Sequence, residues 1–109
     1  MFIAMNRFEV ARGEEEAFET MWKERKTFLH EVPGFEAFHL LRGPAAQDHT
    51  LYASHTRWAS RAAFEDWTRS DAFRKAHAQA AESKPKYLGP PRFEGFEAIH
   101  EVLAEGTPS

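Results

Sequence analysis

Residues 2–10 alternate, with Phe2, Ala4, Asn6, Phe8 and Val10 on one side and Ile3, Met5, Arg7 and Glu9 on the other, the period-two pattern of a strand. After Gly13 the period lengthens. Glu14, Glu15 and Glu16 put negative charge in a first helical turn, where the backbone dipole favours it, and Phe18, Met21, Trp22, Phe28 and Leu29 recur at helical spacing. This predicts a first helix ending before Pro33-Gly34. Strands follow over 35–42 (FEAFHLLR) and 50–58 (TLYASHTRW), joined by a Gly-Pro-Ala-Ala-Gln-Asp connection short enough for an antiparallel hairpin. Ser60 and Ser70 stand where N-caps belong, ahead of the helical runs RAAFEDW and DAFRKAHAQAA. Residues 84–92, with three prolines and a glycine, read as an exposed loop, and 93–103 (FEGFEAIHEVL) as the last strand.

The order is β-α-β-β-α-β with the second helix broken in two, an α+β, ferredoxin-like arrangement built on a four-stranded antiparallel sheet. A single domain spans 1–103, leaving 104–109 as a tail. Both strand faces carry apolar side chains: Phe35, Ala37 and Leu41 oppose Phe38 and Leu40, and Phe93 and Ile99 oppose Phe96, Ala98 and Val102. Helices cover one face only, and an antiparallel sheet bare on the other should be polar there. A homodimer with its sheets face to face is therefore expected.

Composition narrows the partners. With 109 residues there is material for one core, so a ligand must sit near the surface or between subunits. A formal net charge of −3 without a long basic stretch argues against nucleic acid and anionic membranes as partners. The absence of cysteine excludes disulfides, thiolate metal sites and a thiol nucleophile, and leaves histidine and carboxylates as the remaining metal ligands considered. The opening residues lack the basic and apolar regions of a leader, so a soluble, cytoplasmic protein is expected.

Few residues suggest chemistry individually. Asn6 shares a side with four apolar residues, and a buried amide costs about 1–3 kcal/mol unless something bonds to it; a neighbouring backbone group or a ligand would do. His77 has Phe73, Ala76, Ala80 and Ala81 around it, and the small alanines leave room above an imidazole for a planar ligand, although such a histidine is ordinarily filler. Trp67, three residues after Phe64, would ordinarily be core. His39, His55 and His100 lie on predicted strands as a conceivable metal trio. Lys84, Lys86 and Arg92 suit acidic ligand groups or plain solvent. Nucleophile-elbow, glycine-cradle and zincin motifs are all missing.

Together, Trp58-x-Ser60-x-x-Ala63-Phe64-x-x-Trp67-x-x-Ser70-x-x-Phe73-x-x-Ala76-His77, preceded by the Asn6-Arg7 strand, closely resembles the haem-degrading monooxygenases of the IsdG type. These belong to the antibiotic-biosynthesis monooxygenase superfamily of dimeric α+β barrels. The resemblance implies a triad of Asn6, Trp67 and His77. His77 would be the axial ligand of haem iron, Trp67 would press on the macrocycle, and the Asn6 amide would lie near the distal face. Phe64 and Phe73 would line the haem. The implied reaction is oxygen-dependent cleavage of haem to a bilin-type product with iron release, haem serving as substrate and cofactor. Electrons would come from an external reductase, since no flavin or nicotinamide motif is visible. Two other readings stay open: a cofactor-free monooxygenase of a polyketide or quinol, and a haem carrier that does not turn over.

Overall fold

The computed structural model describes residues 1–25, 27–82 and 87–104, with the backbone alone for 77–82. The elements are β1 (Phe2–Ala11), α1 (Glu15–Glu24), β2 (Phe35–Ala45), β3 (His49–Trp58), α2 (Arg61–Thr68), α3 (Asp71–Glu82) and β4 (Arg92–Glu97). The strands lie in the order β2-β3-β1-β4, every neighbouring pair antiparallel. This is the expected ferredoxin-like α+β fold. Among the described residues no helix is long and apolar enough to cross a membrane.

The register fixes which side chains meet α1 and α2. Across the helix-covered face run the rows Phe35–Trp58–Phe2, Phe38–Thr56–Ala4–Gly95, Leu40–Ser54–Asn6–Phe93 and Arg42–Tyr52–Phe8. A register shift between Phe35 and Ala37 inserts one residue into β2. Phe35 therefore joins Phe38 and Leu40, which corrects the expectation that it sides with Ala37 and Leu41: one extra residue reverses every side chain before it. The core forms two clusters. Phe2, Ala4, Leu29 and Trp58 make one, with Phe64 and Trp67 packed on it. Phe8, Val10, Phe18 and Tyr52 make the other, with Trp22 and Tyr87.

Helix α1 ends at Glu24, well short of the predicted Pro33 boundary. Arg25 is extended, Phe28 takes a left-handed φ of 58°, and Leu29–Glu31 make one 3-10 turn. Phe18 belongs to the cluster around Phe8 and Leu29 to the cluster around Phe2. The chain leaves the helix to deliver Leu29 to the cluster around Phe2, and that burial offsets about 1–2 kcal/mol of left-handed strain at Phe28.

Both predicted caps form. The Ala63 N–H donates to Ser60 Oγ at 3.1 Å and the Phe73 N–H to Ser70 Oγ at 3.2 Å. The Ser70 hydroxyl donates in turn to the Trp67 carbonyl at 2.6 Å, tying the end of α2 to the start of α3.

The last strand is shorter than predicted. β1 begins at Phe2, whose partner is Glu97, so an antiparallel β4 runs out of partner there. Ile99 and Val102 then lie in the open, 96% and 67% exposed. Arg92 begins β4 and is not part of the loop. Nor is the segment before it wholly exposed, because Tyr87 bridges to Val10 and packs on Phe8 and Phe18. Lys84 and Lys86 lie outside the described residues. On the uncovered face Ile3, Met5, Leu41, Leu51 and Phe96 mix with the ion pairs Arg7–Glu94 and Arg57–Glu36.

Candidate functional site

Asn6 lies at the middle of the covered face, in the row where the two apolar clusters part, between Ser54 on β3 and Phe93 on β4. Among the described residues its side-chain amide makes no hydrogen bond, which leaves both of its polar ends for a visitor. Phe93 stacks on Phe64 of α2 with centroids 5.6 Å apart and planes at 10°. Phe64 is 6.1 Å from Trp67, so Asn6 and Trp67 lie on the same side of the sheet with two phenyl rings between them.

Trp67 is held by rings on three sides: Trp58 at 5.3 Å, Phe64, and Phe73 edge-on at 4.8 Å. This packing follows from the local sequence, since the capped starts of α2 and α3 aim Phe64, Trp67 and Phe73 inward. The indole Nε1 of Trp67 is buried without an acceptor among the described residues, as are those of Trp22 and Trp58. A buried unpaired N–H costs about 1–3 kcal/mol, and native folds keep few of them.

His77 lies in α3, one turn after Phe73. Its side chain is outside the described residues, so its predicted approach to the same space carries over as a proposal. Ala76 beside it is buried.

One residue that the sequence reading passed over belongs to this region. Phe18 and Trp22 lie one turn apart on α1, and Arg25, the residue just past its end, closes their stripe with a cation. Arg25 is partly buried, its guanidinium lies over the Trp22 ring at 4.4 Å, and its Nε has no acceptor among the described residues. Burial lowers its pKa from the usual guanidinium value, the neighbouring Tyr87 acting the other way. An arginine at the end of an apolar helical stripe was the signal available in the sequence.

Beside this region, between α1 and the edge strand β2, a cavity of about 340 Å³ is lined by Glu19, Trp22, Lys23, Phe38, Leu40, Arg42 and Tyr52. Trp22 stacks on Phe38 with centroids 5.5 Å apart and forms part of its wall. The Tyr52 hydroxyl donates to Glu19, which also pairs with Arg42 at 3.2 Å. Burial, then the hydrogen bond to Glu19, pushes the Tyr52 phenol up to about 12. Neither Asn6 nor Trp67 lines this cavity.

The histidine trio does not assemble. His39 and His55 oppose each other, but His100 lies beyond the end of β4, and no group of three or more His, Cys, Asp or Glu suited to a metal occurs among the described residues.

This fold is shared by proteins of known kind, and the antibiotic biosynthesis monooxygenase family model matches residues 1–79. The chain belongs to that family. The chain is similar to the haem degrader MhuD of Mycobacterium tuberculosis, solved with two haems bound in its active site: 27% identity, TM-score 0.69, covering 94% of this chain and all of that one. A MhuD variant with two manganese protoporphyrins per active site superposes with a TM-score of 0.76 at 27% identity, over 95% of this chain and 100% of that one. SnoaB, a cofactor-independent oxygenase from Streptomyces nogalater, is 24% identical with a TM-score of 0.67, over 94% of this chain and 96% of that one, and shows the common fold. Proteins of this fold thus include a haem degrader and a cofactor-independent oxygenase, and fold alone does not choose between such chemistries.

Proposed function

We propose that this monooxygenase cleaves haem oxidatively, binding one haem per chain between its helices and the Asn6 row and yielding a bilin-type product and free iron. The carrying observation is the parting of the core at Asn6, whose amide has no hydrogen bond among the described residues and lies on the same side of the sheet as the buried, unpaired N–H of Trp67. Full-length similarity to a haem degrader supports it.

The residue types suit such a ligand. His77 on α3 would hold the iron through one imidazole nitrogen. Phe64, Phe73 and Trp67 offer flat apolar surface on the helix side, and the Trp67 indole, held against Trp58, would bear on the face of the bound ligand. The Asn6 amide supplies the polar group on an otherwise apolar wall, where it can donate to a developing oxygen charge or orient a proton-bearing water. Arg25, without an ion pair among the described residues, suits a ligand carboxylate. Bound haem supplies oxygen activation and is itself the molecule attacked, with electrons from an external reductase and O₂ as co-substrate. The apolar, partly exposed opposite sheet face would be covered by a second copy, giving a homodimer.

Hemin titration tests this reading. The protein should develop a Soret band at one haem per chain, which His77→Ala weakens or abolishes. Ascorbate in air should then bleach the band with iron release. A band that persists under reductant and air would mark a carrier.

A second reading rests on the cavity between α1 and β2. Its aromatic walls and its Glu19, Lys23, Arg42 and Tyr52 groups suit a small aromatic acid or quinol, and about 300–1,000 Å³ is the usual size of such sites. Absence of hemin binding would favour this cofactor-free oxygenase.

A further inference from the structure

The cavity between α1 and β2 lies on the helix-covered side of the sheet, and its lining is sorted by depth. Trp22, Phe38 and Leu40 are partly buried and make its apolar wall, whereas Lys23 and Arg42 are exposed and stand at its mouth. Tyr52, 1% exposed, is the deepest of the group. Local structure accounts for the layering. Glu19, Trp22 and Lys23 are i, i+3 and i+4 on one side of α1, while Phe38, Leu40 and Arg42 alternate onto the covered face of β2, where Arg42 pairs across the ladder with Tyr52.

Charge decides what such a pocket takes. Glu19 is engaged twice, its Oε2 accepting from the Tyr52 hydroxyl and from Arg42 Nη1 at 3.2 Å. The phenol remains a neutral donor at ordinary pH, since burial and that bond raise it to about 12. Lys23 has no ion pair among the described residues. Two cations therefore face one engaged carboxylate, which leaves excess positive charge beside an aromatic wall. A quinol could offer a hydroxyl to Glu19 but would leave that charge unanswered. A carboxylate cancels it, and a flat ring on the same molecule covers Trp22 and Phe38. About 340 Å³ is near the small end for ligand sites, room for one or two fused rings and not for a macrocycle. None of the residues assigned to haem lines this space.

We propose that the cavity binds a small aromatic carboxylate, its ring against Trp22 and Phe38 and its acid group between Lys23 and Arg42. The site shares its cavity with the second reading above and depends neither on the oxidation named there nor on haem. Calorimetric titration of the full chain with 2-naphthoate, and with its neutral isostere 2-naphthamide, tests it. One naphthoate per chain is expected, bound about tenfold more tightly than the amide, with the preference shrinking as salt rises. Lys23→Gln should lower naphthoate affinity about threefold and leave amide affinity unchanged, a split that a loss of fold would not produce. Arg42→Gln also frees the Glu19 charge and should lower naphthoate affinity more, by about tenfold. Asn6→Ala, and the chain loaded with hemin, should take up naphthoate as the free wild type does. No naphthoate uptake, equal affinity for acid and amide, variants at Lys23 and Arg42 that bind as wild type does, or naphthoate displaced by hemin would each overturn the proposal. Hemin is followed separately by its Soret band, so this site and the haem reading fail distinguishably.

Discussion

Trp67→Phe separates what the indole does for the fold from what it does for the reaction. The ring is wedged between Trp58 at 5.3 Å and Phe73 at 4.8 Å. Trading indole for phenyl gives up about 40 Å² of buried apolar surface, roughly 1 kcal/mol. The small void left behind adds up to about 1 kcal/mol more. Against this, the substitution deletes an N–H buried without an acceptor, which costs the wild-type chain about 1–3 kcal/mol. The terms nearly cancel. The ligand-free variant is expected to unfold within about 1 kcal/mol of wild type, a Tm change below about 6 °C. Trp67→Ala, which abandons the packing as well, should lose about 3–5 kcal/mol. In single turnover with hemin and ascorbate, Trp67→Phe should retain the Soret band yet open the ring more slowly. Urea unfolding and stopped-flow absorbance make the two measurements. A stability loss above about 2 kcal/mol would show that Nε1–H is satisfied in the free protein, and a wild-type rate would remove the indole from the reaction.

Further outcomes are expected elsewhere. Gly34 has φ +84°, and a Cβ there would sit 2.5 Å from Ala63 Cβ; Gly34→Ala should cost about 2–4 kcal/mol in thermal unfolding, with Ala63→Gly restoring the packing part but not the backbone strain. Tyr52 has its phenol raised from 10.0 to about 12, so its contribution is complete below pH 10 and is lost as pH rises through about 12; Tyr52→Phe should flatten the alkaline limb of the stability profile, with phenolate absorbance following the titration. Arg25→Leu removes a poorly solvated cation, so ligand-free stability should hold or rise slightly, while affinity for protoporphyrin IX falls relative to its dimethyl ester; equal loss for acid and ester would remove the carboxylate role. Phe18→Ala empties the centre of the Phe8 cluster and should cost about 3–5 kcal/mol in urea unfolding.

The periodicities of β1, β3, α2 and α3, and the caps at Ser60 and Ser70, were legible in the chain because each is a local matter of side-chain spacing or of one hydroxyl reaching a nearby N–H. The triad positions were legible only through resemblance, since a single Asn, Trp or His carries no period. Arg25 went unread because its meaning depends on what surrounds it.

Sequence by itself determined the element order and the faces of β1, since strand and helix periods are written in adjacent residues. Tertiary structure alone decided where α1 stops, which side Phe35 takes and where β4 ends. Leu29 had to reach a distant cluster, one inserted residue reversed the pleat, and β4 can pair only as far as β1 extends. The same long-range pairing set His39 beside His55 and left His100 apart, because backbone hydrogen bonds between strands, not spacing along the chain, choose which side chains become neighbours.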